Sequence, residues 1–300
     1  MQVTALDPHP SALKWPALVE LLKPITWFPP MWAFGCGLVS AGVPLNDRWW
    51  LIIGGIALAG PLLCGTSQVV NDWFDRHVDA VNEPGRPIPS GRVPGRIGLY
   101  FAVIWSVLSL AVAALLGAWV LAAATLGLAL AWAYSAPPLR LKSNGWWGNA
   151  ASGLCYEGLP WFTAAAVLLG ALPPWPIVAV AALYSAGAHG IMTLNDFKAL
   201  TGDRQLGVRS LPVLLGPKRA AHVACWVMVV PQVGVVALLA WFELTAFAAA
   251  VALSIALQIL AMGRLLKDPR RLAPWYNGTG VTLYVLGMLV TAFGLRQVLA

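Results

Sequence analysis

The sequence predicts an all-α integral membrane protein built as a bundle of nine transmembrane helices. Of the 300 residues, 59% are hydrophobic and only 10% are charged, and the mean hydropathy is +0.73. Soluble domains carry about 25% charged residues, so this composition excludes them. Apolar stretches of about 20 residues, the length that crosses a bilayer, recur along the chain. No linker separates a second domain, so we predict a single transmembrane domain over residues 1–300.

Nine apolar segments are candidates for the transmembrane helices. In chain order they cover residues 24–42, 49–70, 97–117, 119–136, 148–171, 174–196, 219–241, 243–263 and 278–298. Several follow one another directly, and Gly117-Ala118 and Pro173-Pro174 indicate tight turns. Residues 1–23 lack the apolar core of a signal peptide, so we expect an uncleaved cytoplasmic tail there.

The lysines and arginines predict the orientation of the bundle. With a cytoplasmic N-terminus, all of them except Arg48 and Arg296 fall in the tail or in the loops after the second, fourth, sixth and eighth segments. The positive-inside rule therefore favours a cytoplasmic N-terminus and a C-terminus on the other side. The net charge of +7 then reflects topology and anionic lipid headgroups, and nothing indicates nucleic-acid binding.

Two acidic runs stand at the predicted cytoplasmic ends of apolar segments. Their amide and carboxylate residues are Asn71, Asp72, Asp75 and Asp79 in the first run, and Asn195, Asp196 and Asp203 in the second. On a helix, the aspartates of the first run share one face over about two turns. Crowded carboxylates repel one another, and a divalent cation removes that repulsion. Hard oxygen donors without a Cys/His set favour Mg²⁺, for which we predict Asn71 and the five aspartates as ligands.

Basic residues near the two runs suit a diphosphate that shares the metal. Mg²⁺ usually keeps waters and binds substrate phosphates as well as protein carboxylates. The candidate phosphate donors of the inner loops are Arg76, Arg86, Arg140, Lys142, Lys198, Arg204 and Arg209. A helix-breaking turn after Tyr134 is expected to direct two of them, Arg140 and Lys142, back over the site. The reaction that suits a diphosphate beside lipid is ionisation of an allylic prenyl diphosphate, with the cation trapped inside a water-free cavity.

These motifs resemble those of the UbiA superfamily of intramembrane prenyltransferases. The similarity extends over roughly residues 20–295. It is carried by residues 71–91, by residues 134–142 and by the second run through Arg204. The longer strings at residues 67–76, 156–159 and 189–198 look like the members that act on bacteriochlorophyllide. One departure is Ala199, where many members have a further aspartate, and it leaves the number of metals bound by the second run open.

The resemblance implies esterification of the propionate of bacteriochlorophyllide with geranylgeranyl or phytyl diphosphate. Mg²⁺ would be the cofactor, and the five aspartates would be catalytic. The implied location is a bacterial inner or photosynthetic membrane, with the active site facing the cytoplasm. The partners would be the bilayer, both substrates and any protein that delivers or receives the pigment. A propionate is already ionised near neutral pH, so the reaction needs no general base.

Polar residues inside the apolar segments complete the predicted substrate-binding set. Besides the basic residues, that set contains Gln68, Asn71, Tyr134, Glu157, His189 and Asn195. Glu157 either hydrogen-bonds the macrocycle or pairs with a basic residue across the bundle. His189 either binds the pigment, through its central metal or a ring carbonyl, or only packs. Gln68, one turn before Asp72, either supports a ligand or diphosphate oxygen or has no such role.

Rival functions stay open at the level of the sequence. Within the same superfamily the acceptor could instead be chlorophyllide, a quinone precursor or haem. A cation transporter belongs to another class, but an ion path would avoid the many arginines and lysines beside these carboxylates. Dependence of activity on an isoprenoid diphosphate separates the two classes. A pigment-binding assembly protein without catalysis would not need two acidic runs.

Overall fold

The computed structural model describes residues 15–299, so the first part of the predicted tail lies outside the described residues. The helices are α1 (Trp15–Leu21), α2 (Phe28–Ser40), α3 (Trp49–Ala57), α4 (Gly65–Asn82), α5 (Ile97–Leu116), α6 (Ala118–Ser135), α7 (Gly145–Gly153), α8 (Leu159–Leu169), α9 (Trp175–Asn195), α10 (Leu200–Leu206), α11 (Leu211–Leu215), α12 (Pro217–Trp241), α13 (Thr245–Leu265), α14 (Pro269–Asn277) and α15 (Gly280–Leu299). Two π-helical segments, Leu58–Cys64 and Leu154–Gly158, join α3 to α4 and α7 to α8. Within residues 15–299 there is no strand, and the predicted all-α class is confirmed.

Seven continuous helical stretches among the described residues are long and apolar enough to cross a membrane. Three of them combine two of the helices named above. They cover Trp49–Asn82, Ile97–Leu116, Ala118–Ser135, Trp175–Leu206, Pro217–Trp241, Thr245–Leu265 and Pro269–Leu299. Each overlaps one of the predicted segments to within two residues of its ends or extends beyond it. The structure therefore describes a multi-span membrane protein, as its composition indicates.

The other two predicted segments are helical but differ from ordinary spans. The first contains only the 13 residues of α2, or about 20 Å of helix, after a 3₁₀ turn at Pro24–Thr26. The fifth is the continuous run of α7, the π segment and α8, which carries the buried polar residues Asn149 and Glu157. The count of nine crossings and the side on which the N-terminus lies stay predictions.

The centre of the bundle is α9, which packs closely on its neighbours. In the most apolar 18-residue part of the stretch Trp175–Leu206, which contains α9, 67% of the residues are buried inside the protein. A Cβ on Gly190 would lie 2.2 Å from the backbone oxygen of Ala224 in α12. Likewise, a Cβ on Gly37 in α2 would lie 2.3 Å from the oxygen of Trp161 in α8. Small residues at these crossings let helix backbones approach, as is common in membrane bundles.

The loops that carry the acidic runs and many of the basic residues meet at one end of the bundle. Arg209 donates its backbone N–H to the Ser143 oxygen at 2.9 Å, and Gly145 donates to the Arg209 oxygen at the same distance. Asn277, after α13, donates to the Asn195 side chain at 2.9 Å. These contacts join segments that are far apart in sequence, and the ion pair of Lys142 with Asp75 adds the first acidic run to the same end.

Candidate active site

A cavity of about 820 Å³ lies between the two acidic runs. Asn71 from the first run lines it, and so do Asn195 and Lys198 from the second. Most of the remaining wall is apolar and comes from α2, α6, α9 and α15. The fold therefore joins the polar ends of two distant segments over one largely hydrocarbon-lined chamber.

The first run keeps its aspartates on one helix, because α4 continues to Asn82. Arg86 binds Asp72 at 3.2 Å and Asp79 at 2.9 Å through the same nitrogen, which shows that these two carboxylates share a face. Lys23 binds the same Asp72 oxygen at 2.7 Å. Burial disfavours the charged guanidinium, but the hydrogen bond to Glu83 and the nearby carboxylates outweigh it and raise the pKa of Arg86. Arg86 is therefore a permanent cation between the two aspartates.

The third aspartate of this run, Asp75, is bound by the loop that follows α6. Lys142 donates to its carboxylate at 2.5 Å, and Arg140 lies at 3.5 Å. The turn after Tyr134 thus brings both basic residues to the first run. Burial lowers the pKa of the Lys142 ammonium, although the Asp75 carboxylate opposes that effect.

The second run leaves regular helix at Asp196. A 3₁₀ turn covers Asp196–Ala199, and α10 then carries Asp203. Asn149 donates to Asp196 at 3.1 Å and to Thr193 at the same distance, so its amide fixes the carboxylate at the end of α9. Asp203 is half-buried and forms no ion pair within the described part of the chain.

Two aromatic hydroxyl groups stand beneath the runs, on the cavity wall. Tyr134 lines the cavity together with Asn71 of the first run and Asn195 of the second. Tyr156 accepts a hydrogen bond from Gln68 at 3.2 Å, and both of these residues line the cavity. The side chain of Gln68 is therefore held by Tyr156 and does not reach Asp72 directly.

The remaining predicted residues differ in their relation to the cavity. The Arg76 guanidinium lies 4.1 Å from the centre of the Trp73 ring and donates to the Trp73 oxygen, which turns it toward its own helix. Arg204 is exposed. His189 is buried beside Trp146, with a ring separation of 5.5 Å, and its Nδ1 atom has no hydrogen-bond partner among the described residues. His189 does not line the cavity.

Sequence reasoning missed two polar residues that hold the aspartates. It assigned Lys23 only to membrane topology, and it gave Asn149 no role. Lys23 directly precedes the first apolar segment, and its position at the predicted cytoplasmic boundary was an available signal. No local pattern marks Asn149, because its partner is 47 residues away in sequence.

Replacement of Lys23 by Met is expected to raise the KM for the prenyl diphosphate about tenfold. The change removes a charge-assisted contact beside the expected position of the diphosphate, and one such contact contributes about 1.5–3 kcal/mol. Steady-state rates over a range of diphosphate concentrations measure the effect. Lys267→Met, in the loop before α14, is the control, and an equal KM for both variants would contradict a role for Lys23.

The donor set of the two runs fits Mg²⁺ shared with a diphosphate. Among residues 15–299, no three His, Cys, Asp or Glu side chains converge closely enough to hold a metal alone. Mg²⁺ does not need such a cage, because it commonly binds one or two carboxylates together with water and substrate phosphate. Asp72 and Asp196 do not line the cavity themselves, but each directly follows a lining residue, Asn71 or Asn195, and their carboxylates offer hard oxygen atoms of this kind.

Comparison with known proteins identifies the family of this chain. Residues 27–293 match the UbiA prenyltransferase family. The chain is 58% identical over 292 residues to the bacteriochlorophyll synthase 33 kDa chain of Cereibacter sphaeroides, covering 97% of each chain. It is 54% identical over 300 residues to the protein of the same name from Rhodobacter capsulatus, covering 98% of this chain and 99% of that one.

A solved structure has the same fold. The UbiA homolog from Archaeoglobus fulgidus bound to GPP and Mg²⁺ superposes with a TM-score of 0.71 at 18% identity, covering 91% of this chain and 99% of that one. The resemblance found in the sequence motifs is thus confirmed. The chain belongs to the UbiA prenyltransferase family and is a prenyltransferase.

Proposed function

We propose that this prenyltransferase esterifies the propionate of bacteriochlorophyllide with geranylgeranyl or phytyl diphosphate, in a Mg²⁺-dependent reaction at the cytoplasmic face of a bacterial membrane. The observation that carries the proposal is the single cavity lined by Asn71 and Asn195, one from each acidic run. The two similar proteins named bacteriochlorophyll synthase support the choice of acceptor.

The polar mouth of the cavity would hold the diphosphate. Asp72 and Asp196 would hold Mg²⁺, and the bound metal would supply charge stabilisation for the leaving diphosphate. Lys23, Arg86 and Lys142 already lie on the aspartates of the first run, within reach of the same region. These cations neutralise the carboxylates in the structure, and they would add donors to phosphate oxygens once the substrate is bound.

The apolar wall would hold the prenyl chain and exclude water. Its side chains include Phe28, Trp32, Leu130, Ile191, Val285 and Leu286. A smaller cavity of about 50 Å³ adjoins it and shares Ser67, Ala131, Cys155 and Tyr156 as lining residues. Transfer of a hydrocarbon chain from water to such a wall lowers the free energy of the system. An allylic cation formed there is also protected from hydrolysis.

The chemical step would be a substitution at the allylic carbon. The bond between that carbon and the diphosphate oxygen breaks, and a propionate oxygen forms the new ester bond. Diphosphate leaves with the electron pair. The propionate carries its negative charge at neutral pH, so no side chain must remove a proton. The protein therefore has to ionise one substrate and orient the other.

The other candidate functions keep less support. Membership of a prenyltransferase family favours an enzyme over a cation transporter. Chlorophyllide and quinone precursors stay alternative acceptors, because the mouth of the cavity would treat their diphosphate partner in the same way. The similarity of nearly the whole chain to two bacteriochlorophyll synthases favours bacteriochlorophyllide.

Purified protein in detergent is expected to form bacteriochlorophyll from bacteriochlorophyllide a and geranylgeranyl diphosphate when Mg²⁺ is present. EDTA should abolish the product, and added Mg²⁺ should restore it, because the diphosphate would otherwise leave without charge stabilisation. Reverse-phase chromatography separates the later-eluting ester from its acid. Product formed equally in EDTA would contradict the metal assignment. Prenylation of chlorophyllide or a hydroxybenzoate, but not of bacteriochlorophyllide, would contradict the acceptor.

A further inference from the structure

Glu157 is a buried acid on the cavity wall that has no cation beside it. Its residue is only 5% exposed, and it lines the 820 Å³ cavity. The Oε2 atom has no hydrogen-bond partner, and within residues 15–299 no lysine, arginine or histidine forms an ion pair with the carboxyl group. The alternative that Glu157 pairs with a basic residue across the bundle is therefore wrong within the described residues. Buried polar atoms without partners are rare, which suggests that a ligand supplies the missing one.

The backbone around Glu157 explains how an acid comes to lie at this position. It belongs to the π-helical segment Leu154–Gly158, between α7 and α8. A π turn shifts the register of the side chains that follow it, and such turns are frequent at functional sites. The hydroxyl group of Tyr284 donates to the backbone oxygen of Tyr184 at 2.5 Å, so that donor is not available to Glu157.

The surroundings of Glu157 favour its neutral, protonated form. A buried carboxylate without a cation in an apolar wall loses its hydration and gains no compensating charge. A protonated carboxyl group avoids that cost, and it carries one O–H donor. The group is then matched to a ligand that has an acceptor oxygen but no positive charge.

The parts of the two substrates differ in what they offer such a donor. A prenyl chain contains no acceptor atom, and the diphosphate would be held at the polar mouth by the acidic runs and their cations. The rim of the tetrapyrrole ring carries carbonyl oxygens, which are neutral acceptors. We propose that Glu157 donates a hydrogen bond to a carbonyl on the rim of the acceptor macrocycle and so orients the propionate toward the allylic carbon. This inference rests on the proposed function.

Kinetics of paired variants test the role of the donor. Glu157→Gln keeps an N–H donor of similar size, whereas Glu157→Leu keeps the volume and removes the donor. We expect the leucine variant to raise the KM for bacteriochlorophyllide about tenfold, the effect of one lost buried hydrogen bond. The glutamine variant should change it by less than about threefold. Neither should change the KM for geranylgeranyl diphosphate.

Tyr184→Phe is the matched control, because it removes a buried hydroxyl group that bonds Thr291 and does not line the cavity. It should leave both KM values unchanged. Thermal unfolding of each purified variant checks that the fold is retained. Equal KM values for the acceptor in all proteins, or a rise for the diphosphate substrate instead, would overturn the inference.

Resonance Raman spectra of bound bacteriochlorophyllide provide a readout that does not depend on turnover. A hydrogen bond lowers the stretching frequency of a carbonyl group, so wild-type protein should show one downshifted carbonyl band. That band should return to the unbonded frequency in Glu157→Leu. An unshifted spectrum in the wild type would overturn the inference, even if the variants fail to fold. If wild-type protein esterifies the pigment and the band is unshifted, only the role of Glu157 fails; absence of esterification would instead contradict the proposed function.

Discussion

Replacement of Asp72 by Ala is expected to lower turnover about a thousandfold or more. Asp72 is 2% exposed and forms ion pairs with both Lys23 and Arg86. It directly follows Asn71, which lines the cavity. Loss of its carboxylate removes a metal ligand and leaves the two cations without their shared anion. Charge stabilisation of a leaving group by one preorganised contact contributes about 10²–10³ in rate, and a metal ligand contributes at least as much. Initial rates of bacteriochlorophyll formation at saturating substrates measure the loss.

The control for this variant is a carboxylate that the structure places outside the site. Asp268 is the N-cap residue before α14 and accepts a hydrogen bond from the backbone N–H of Arg271, a role that asparagine also fills. Asp268→Asn should retain turnover within about twofold. Near-normal turnover of Asp72→Ala, in protein with an unchanged melting temperature, would contradict the assignment of Asp72 to the metal site.

Replacement of Asp196 by Ala should lower turnover at least about a hundredfold. Asp196 belongs to the second run and directly follows the cavity-lining residue Asn195, and Asn149 donates a hydrogen bond to its carboxylate at 3.1 Å. If both runs bind the same metal–diphosphate assembly, either loss should be severe, and the double variant should be little worse than the worse single one. Residues that act as one unit show this kind of non-additivity. Rates of the two single variants and the double variant test it directly.

A carboxylate in a loop remote from the site provides the comparison for Asp196. Asp47 precedes α3, in a loop predicted to lie on the opposite side of the membrane, and its φ angle is 61°. Asparagine tolerates this left-handed conformation, so Asp47→Asn should fold and keep its activity. Strict additivity of the Asp72 and Asp196 effects would indicate two independent sites and would contradict a shared diphosphate.

Composition was enough to predict the all-α membrane class, and the two acidic runs were evident before Asn71 and Asn195 were found to line one cavity. Hydrocarbon length fixes how many apolar residues a helix needs, so segment positions can be found from the sequence alone. The spacing of Asp72 and Asp79 placed them on one helix face, and Arg86 now touches both. The turn after Tyr134 was expected to direct Lys142 back over the site, and Lys142 contacts Asp75 of the first run. These relations depend on local backbone geometry, which a short stretch of sequence contains.

The tertiary structure alone decided which distant groups meet. Lys23 reaches Asp72 across 49 residues, and Asn149 reaches Asp196 across 47. No periodicity encodes such pairs, because they depend on how whole helices cross. The isolation of Glu157 is also a property of packing, since whether an acid has a partner depends on every element that surrounds it. The sequence therefore contained the chemistry of the two runs, whereas helix packing set the cavity that joins them and the neighbours of each charge.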